Sequence, residues 1–169
     1  MTDRAGTAAA QWRRERPDID PFPMEVLGRL CEAAQVIGRD RIQPLFTAHG
    51  LQAGEFDVLA TLRRAGTPYA LTPTALYEVL MVSSGGMTNR IDRLEKAGFI
   101  ARRKHPTDRR GTLVELTAAG LELIDRLLGL HVENERAVLA TLSGAEQRQL
   151  NALLAKVLAG LAADAGGEV

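Results

Sequence analysis

Apolar residues recur at helical spacing along most of this chain. From about residue 24 to 46, Leu27, Leu30, Ala34 and Ile37 fall three and four apart, which predicts an amphipathic helix with one buried stripe. A second helix, about 53 to 64, turns Phe56, Leu59 and Leu62 inward. Thr72-Pro73 supplies a hydroxyl N-cap with proline at the first helical position, and so predicts a short helix ending near Leu80. After a break at Met81-Val82, Ser83 or Ser84 can cap a helix whose inward face is Met87, Ile91 and Leu94, closed by Gly98 as a left-handed C-cap. The period then changes. Residues 99 to 104 and 112 to 117 alternate apolar with polar on either side of HPTDRRG, which predicts a hairpin with a charged tip. Helical spacing returns from about 117 to 140 and again from Ser143, where Ser143 and Glu146 match a capping box and Leu150, Leu154, Val157 and Leu161 form a stripe. Prolines at 17, 21 and 23 cut off the first 23 residues, leaving Trp12 on a short separate helix or a tail.

Helices at 72 to 80 and 83 to 97 have the lengths of a helix-turn-helix, whose second helix lies in a major groove while the first braces it across the backbone. With Met87, Ile91 and Leu94 inward, the opposite face of the second helix shows Ser84, Gly85, Thr88, Asn89, Asp92 and Arg93. Small, hydroxyl and amide side chains allow close approach, asparagine can meet adenine through two hydrogen bonds, and a helix N-terminus attracts phosphate. An ordinary surface helix more often carries Glu and Lys there. Ser84, Thr88, Asn89 and Arg93 are therefore the expected base or phosphate contacts. The tip residues Asp108, Arg109 and Arg110 read as a wing whose arginine enters the minor groove, with Asp108 holding an arginine in position. Read instead as a solvated turn, the same residues predict no salt-sensitive loss on mutation.

Charge changes the picture only through its distribution. The 21 basic and 21 acidic residues cancel, so overall basicity says nothing about nucleic acid. Between Arg90 and Arg110, however, eight basic residues stand against three acidic ones, a local +5, while residues 111 to 169 carry four basic and eight acidic groups. Such segregation suits one face to a polyanion. At 46% apolar and 25% charged the chain is not disordered. A single cysteine excludes an intramolecular disulfide framework, and His49, His105 and His131 are too scattered for a dense metal site. No G-x-S-x-G or P-loop pattern appears, so no enzyme is expected. No apolar run reaches the roughly 20 residues that span a bilayer, and MTDRAGTAAAQWRRERPD lacks a secretory leader's apolar core, so a cytoplasmic location is expected.

The run LTPTALYEVLMVSSGGMTNRIDRLEKAGFIARRKHPTDRRGTLVELTAAG, with its D-R-R tip and L-T-x-x-G helix start, resembles the winged helix-turn-helix core of MarR-family regulators. The expected fold is accordingly mainly α: a winged helix-turn-helix with a two-stranded β wing and an N-/C-terminal helical dimerisation region. The resemblance implies an N-terminal extension over 1–23, dimerisation helices over 24–50 and 118–165, and a DNA-binding domain over 51–117. It also implies a homodimer on a palindromic double-stranded operator, near its own gene and a divergent transporter gene. The apolar stripes at both ends, which exceed what one chain needs, agree with this. An interaction module using the same helical dimer without reading bases is the non-DNA alternative.

Within the family, the tryptophan-bearing extension, GLQAGEFDVLATLRRAG and VSSGGMTNRIDRLEKAGFI are similar to the urate-responsive PecS and HucR branch. Residues implicated in ligand response there map onto Trp12, Asp57, Arg90 and Arg102. No cofactor is implied; the effector would be urate, xanthine or another small anionic aromatic ligand. Its chemistry is consistent: a planar anion wants an aromatic face and a guanidinium fork, and a carboxylate near it is repulsive. Ligand entry could thus break an Asp57–Arg90 contact, tilt the DNA-reading helix and release DNA. Duller roles remain beside these: Trp12 as a staple for its helix, Asp57 as a surface acid, Arg90 and Arg102 as phosphate contacts. Cys31 somewhat resembles the reactive thiol of peroxide-sensing members, which gives thiol oxidation as a rival signal; a buried, inert thiol is the reading adopted here.

Overall fold

The elements run α1 (Arg4–Glu15), α2 (Phe22–Ile37), a π-helical turn (Gly38–Ile42), α3 (Gln43–Ala48), α4 (Glu55–Arg64), β1 (Ala70–Leu71), α5 (Pro73–Leu80), α6 (Ser84–Lys96), β2 (Ile100–Lys104), β3 (Thr112–Leu116), α7 (Ala118–Leu139) and α8 (Gly144–Gly166). The computed structural model describes residues 3–80, 84–107 and 111–166. The expected break at Met81-Val82, the alternative cap Ser83 and the wing-tip residues Asp108, Arg109 and Arg110 lie outside them. The expected mainly α winged helix-turn-helix is present, with β2 and β3 as its two-stranded wing, and a short strand that the sequence did not signal, β1, joins the sheet. β1 pairs antiparallel with β3 (Ala70 opposite Glu115, Leu71 opposite Val114), giving the order β1-β3-β2. Two residues are too few for an alternating pattern, so only the pairing reveals this strand.

The local signals act as their chemistry predicts. Thr72 Oγ1 accepts the Ala75 N–H at 3.1 Å and starts α5. Gly98, at φ +78°, ends α6: its N–H bonds to the Glu95 carbonyl and the Phe99 N–H to the Leu94 carbonyl, the paired closure that a left-handed residue permits. The Ser143 N–H donates to Glu146 Oε2 at 2.7 Å, and the Glu146 N–H to Ser143 Oγ at 3.4 Å.

The chain divides into two compact units, Met1–His131 and Val132–Val169. In the first, α4, α5, α6, the sheet and the first half of α7 enclose a core in which Leu59, Leu62, Leu76, Leu94 and Ile124 are fully buried. Each such side chain contributes about 1.5–3 kcal/mol relative to exposure. Phe56, Leu59 and Leu62 of α4 and Met87, Ile91 and Leu94 of α6 all point inward, as their spacing predicts.

The helix expected over 24 to 46 departs from prediction twice. It starts at Phe22 and passes through the π-helical turn before α3, where Pro44 has no N–H for the preceding turn. Its stripe is also not buried within the chain: Leu27 is 56% and Leu30 39% exposed, and Cys31, expected to be buried, is exposed. An amphipathic pattern reports that a face seeks apolar contact, not that the same chain supplies it. α1, carrying Trp12, packs on α2, with Ala9 buried and Gly28 facing Ala5. Around that contact run the ion pairs Arg4–Glu32 (2.7 Å), Arg13–Glu25 (2.9 Å), Arg29–Asp3 (2.5 Å) and Arg29–Glu25 (2.7 Å). In the second unit, Leu150, Leu153, Val157, Leu158 and Leu161 of α8 are exposed.

Candidate nucleic-acid interface

Helical periodicity determines what α6 can offer. Burying Met87, Ile91 and Leu94 against the core leaves Thr88, Asn89, Asp92 and Arg93 on the exposed side, and Ser84 opens the helix. Asp92, expected to face a groove, is engaged instead. Arg102 of β2 donates through Nη2 to Asp92 and through Nη1 to Glu95, and its backbone N–H reaches Glu95 Oε1 at 3.1 Å. These contacts, the Asp92 hydrogen bond foremost, push the Arg102 guanidinium above its ordinary value. The first wing strand is thereby tied to the exposed helix by two carboxylates. Further along the hairpin Arg103 pairs with Glu115 of β3, and Lys104 is exposed.

The start of α4 holds the other side of α6. Arg93 Nε donates to Glu55 Oε1 at 2.7 Å, and Glu55, only 3% exposed, accepts the Gln52 N–H through Oε2 at 2.6 Å. The Arg90 guanidinium lies over Gly54: a Cβ there would come 2.5 Å from Arg90 Cζ, and the backbone at φ +76° also favours glycine. The expected Asp57–Arg90 contact is not formed; among the described residues no hydrogen bond or ion pair joins them. At about 100° per residue, Asp57 points some 200° away from Glu55, so only Glu55 faces α6.

Asp57 instead lines a separate cleft of about 490 Å³ with Thr61, Arg64, Leu80, Leu128 and His131. Phe56, stacked on Phe46 at 4.2 Å, carries the His131 ring against it at 4.7 Å, so part of the wall is aromatic. Thr61 Oγ1 is buried there with no hydrogen-bond partner among the described residues. The lining includes Asp57 but not Trp12, Arg90 or Arg102. Trp12 stays on α1, 41% exposed, Arg90 at Gly54 and Arg102 at the wing base. The sequence reading missed Glu55 and the clamping role of Asp92 and Glu95. The one local signal for Glu55 was its position just after Gly54, at the turn that leads into α4, and this does not point to Arg93.

Comparison with known proteins bears on this arrangement. A model of the MarR family matches residues 51–112. The HTH-type transcriptional regulator PecS of Dickeya dadantii is 45% identical over 147 residues, 87% of this chain and 88% of that protein. Sco3205, a MarR family transcriptional regulator from Streptomyces coelicolor solved in complex with DNA, superposes with a TM-score of 0.72 at 25% identity over 80% of this chain and 85% of that one. A mutant MarR from Escherichia coli complexed with operator DNA gives a TM-score of 0.67 at 29% identity, over 87% of this chain and 97% of that one.

Proposed function

This chain belongs to the MarR family of DNA-binding transcription regulators and is not an enzyme, and we propose that it is a homodimeric repressor released from a palindromic operator by urate or a related purine. The observation that carries the reading is the exposed face of α6, with Thr88, Asn89 and Arg93 outward and the wing strand clamped to the same helix through Arg102. Ser84, Thr88, Asn89 and Arg93 contact bases or phosphates in the major groove, while Arg109 and Arg110 reach the minor groove. The exposed apolar faces of α2 and α8 support dimerisation through residues 24–50 and 118–165, and a two-fold dimer matches a palindromic site. Likeness to PecS over most of the chain supports the effector class.

The cleft beside Asp57 supports effector entry. Its aromatic wall, the Arg64 guanidinium and the Thr61 hydroxyl suit a flat, hydrogen-bonding anion, and the Asp57 carboxylate makes binding sensitive to local geometry. Trp12, Arg90 and Arg102 complete the proposed response set, Arg90 and Arg102 because both sit where α6 meets its supports. An effector must bind the DNA-free conformation more tightly than the DNA-bound one. Fluorescence anisotropy on the duplex upstream of the protein's own gene tests this: urate or xanthine, added to millimolar concentration, releases the DNA. Release by salicylate but not by purines would replace the effector class and leave DNA binding standing. Replacing Arg109 and Arg110 with alanine is expected to weaken binding and flatten its salt dependence.

A further inference from the structure

We propose that Glu55 is a positioning residue for DNA binding: it grips Arg93 by Nε and so presents the two Nη groups of that arginine to a DNA phosphate. The proposal rests on the reading of Arg93 as a DNA contact. Its geometric basis is the division of labour within one carboxylate. Oε2 accepts the Gln52 N–H at 2.6 Å and so closes the turn that leads into α4, while Oε1 accepts Arg93 Nε at 2.7 Å, across 38 residues of sequence. Both oxygens are occupied, and the residue is 3% exposed, so the carboxylate cannot turn away.

Closing this turn accounts for only half of the arrangement. A neutral glutamine can accept the Gln52 N–H equally well, without the cost of burying a charge. What glutamine cannot do is also accept from Arg93, because its second terminal atom is a donor. A buried carboxylate here is therefore explained by the arginine. On the other partner, guanidinium geometry supplies the outward half. With Nε–H directed at Glu55, four N–H groups remain on Nη1 and Nη2, and the Arg93 side chain is 42% exposed; Glu55 is its one side-chain partner among the described residues. A fork held at one prong loses less freedom on meeting phosphate than a free one. The adjacent Gly54 keeps the site open, since any side chain there would strike the Arg90 guanidinium one helical turn away on α6.

The test uses the full chain and the duplex that the wild-type protein selects from a random-sequence pool, with affinity measured by anisotropy across a salt series. Arg93→Ala is expected to bind about tenfold more weakly, with the salt slope reduced by about one. Glu55→Gln keeps the bond from the Gln52 N–H and removes a negative charge near a polyanion, a change that by itself would strengthen binding; the expected result is instead a loss of about tenfold, at an unchanged melting temperature. The double variant is expected to be no weaker than Arg93→Ala alone. Arg93→Lys, which keeps the charge but lacks the planar fork that holds one prong on Glu55 and points the other outward, should fall with Glu55→Gln, and it decides the matter if Glu55→Gln does not fold. Full affinity in Glu55→Gln or in Arg93→Lys beside a weakened Arg93→Ala overturns the proposal and leaves Arg93 as a DNA contact. So does a double variant whose losses multiply. An unaffected Arg93→Ala removes the contact and the proposal together.

Discussion

Gly120 shows how narrowly a single position is set. A Cβ there would overlap the Phe99 carbonyl oxygen, because the first turn of α7 lies directly against the turn that ends α6. Thr117 closes the same seam: its Oγ1 donates to the Gly98 carbonyl at 2.7 Å and accepts the Gly120 N–H at 3.0 Å, while its N–H reaches the Phe99 carbonyl at 3.1 Å. Gly120→Ala must push the two turns apart, with an expected loss of about 1–3 kcal/mol in urea unfolding; a loss below a few tenths would mean the seam is slack. In the sequence L-T-x-x-G is legible only as a helix start, with no reason for its glycine. Glu55 is a similar case. Its bond to Gln52 is local to one turn, but its partner Arg93 lies 38 residues away, and no spacing rule connects them. Arg93 itself was legible because it stands opposite a buried stripe of its own helix.

Among the elements, those defined by short-range chemistry were legible and those defined by pairing were not. Thr72, Gly98 and Ser143 announce helix ends because their hydrogen bonds stay within five residues, whereas β1 exists only through β3. α1 is intermediate: prolines mark its limits, but its seat on α2 depends on ion pairs that only the fold assembles. The Arg29 side chain, then the Gly6 N–H, hold Asp3 below its ordinary 3.8, and Arg13 holds Glu25 below 4.5. A carboxylate lowered in the folded state adds stability above its unfolded value and loses it as pH falls through the folded one. Docking of α1 should therefore be constant near neutral pH and weaken below about pH 4, and high salt should weaken it too because these pairs are exposed. Trp12, the sole tryptophan, reports the event. Its emission is expected to shift on acidification, or in about 1 M salt, before the far-ultraviolet helical signal declines. Coincident loss of both signals would show that α1 does not detach separately.

For the whole molecule, the apolar residues that remain outside are the informative ones. Leu158 is 66% exposed and Leu153 and Leu161 accompany it on α8, while α2 carries Leu27 and Leu30 in the same condition. A lone chain would gain nothing from such faces, and a second copy would cover them. Leu158→Glu is expected to change the stability of an isolated chain by no more than about 0.5 kcal/mol. In the proposed homodimer it should convert a dimer to a monomer in sedimentation and abolish binding to a palindromic duplex. Wild-type protein that sediments as a monomer at operator-binding concentrations would remove the dimer from the proposal. No helix among the described residues is long and apolar enough to cross a membrane.

The order of helices, the hairpin, the caps and the exposed face of α6 were all determined by the sequence itself, since each follows from periodicity or from hydrogen bonds between near neighbours. The tertiary structure alone decided which charges meet: Arg102 with Asp92 and Glu95, and Arg93 with Glu55 rather than Arg90 with Asp57. It also decided that the stripe on α2 stays uncovered within the chain. Periodicity tells which way a side chain points from its own helix, whereas the identity of the group it meets depends on how elements distant in sequence are packed.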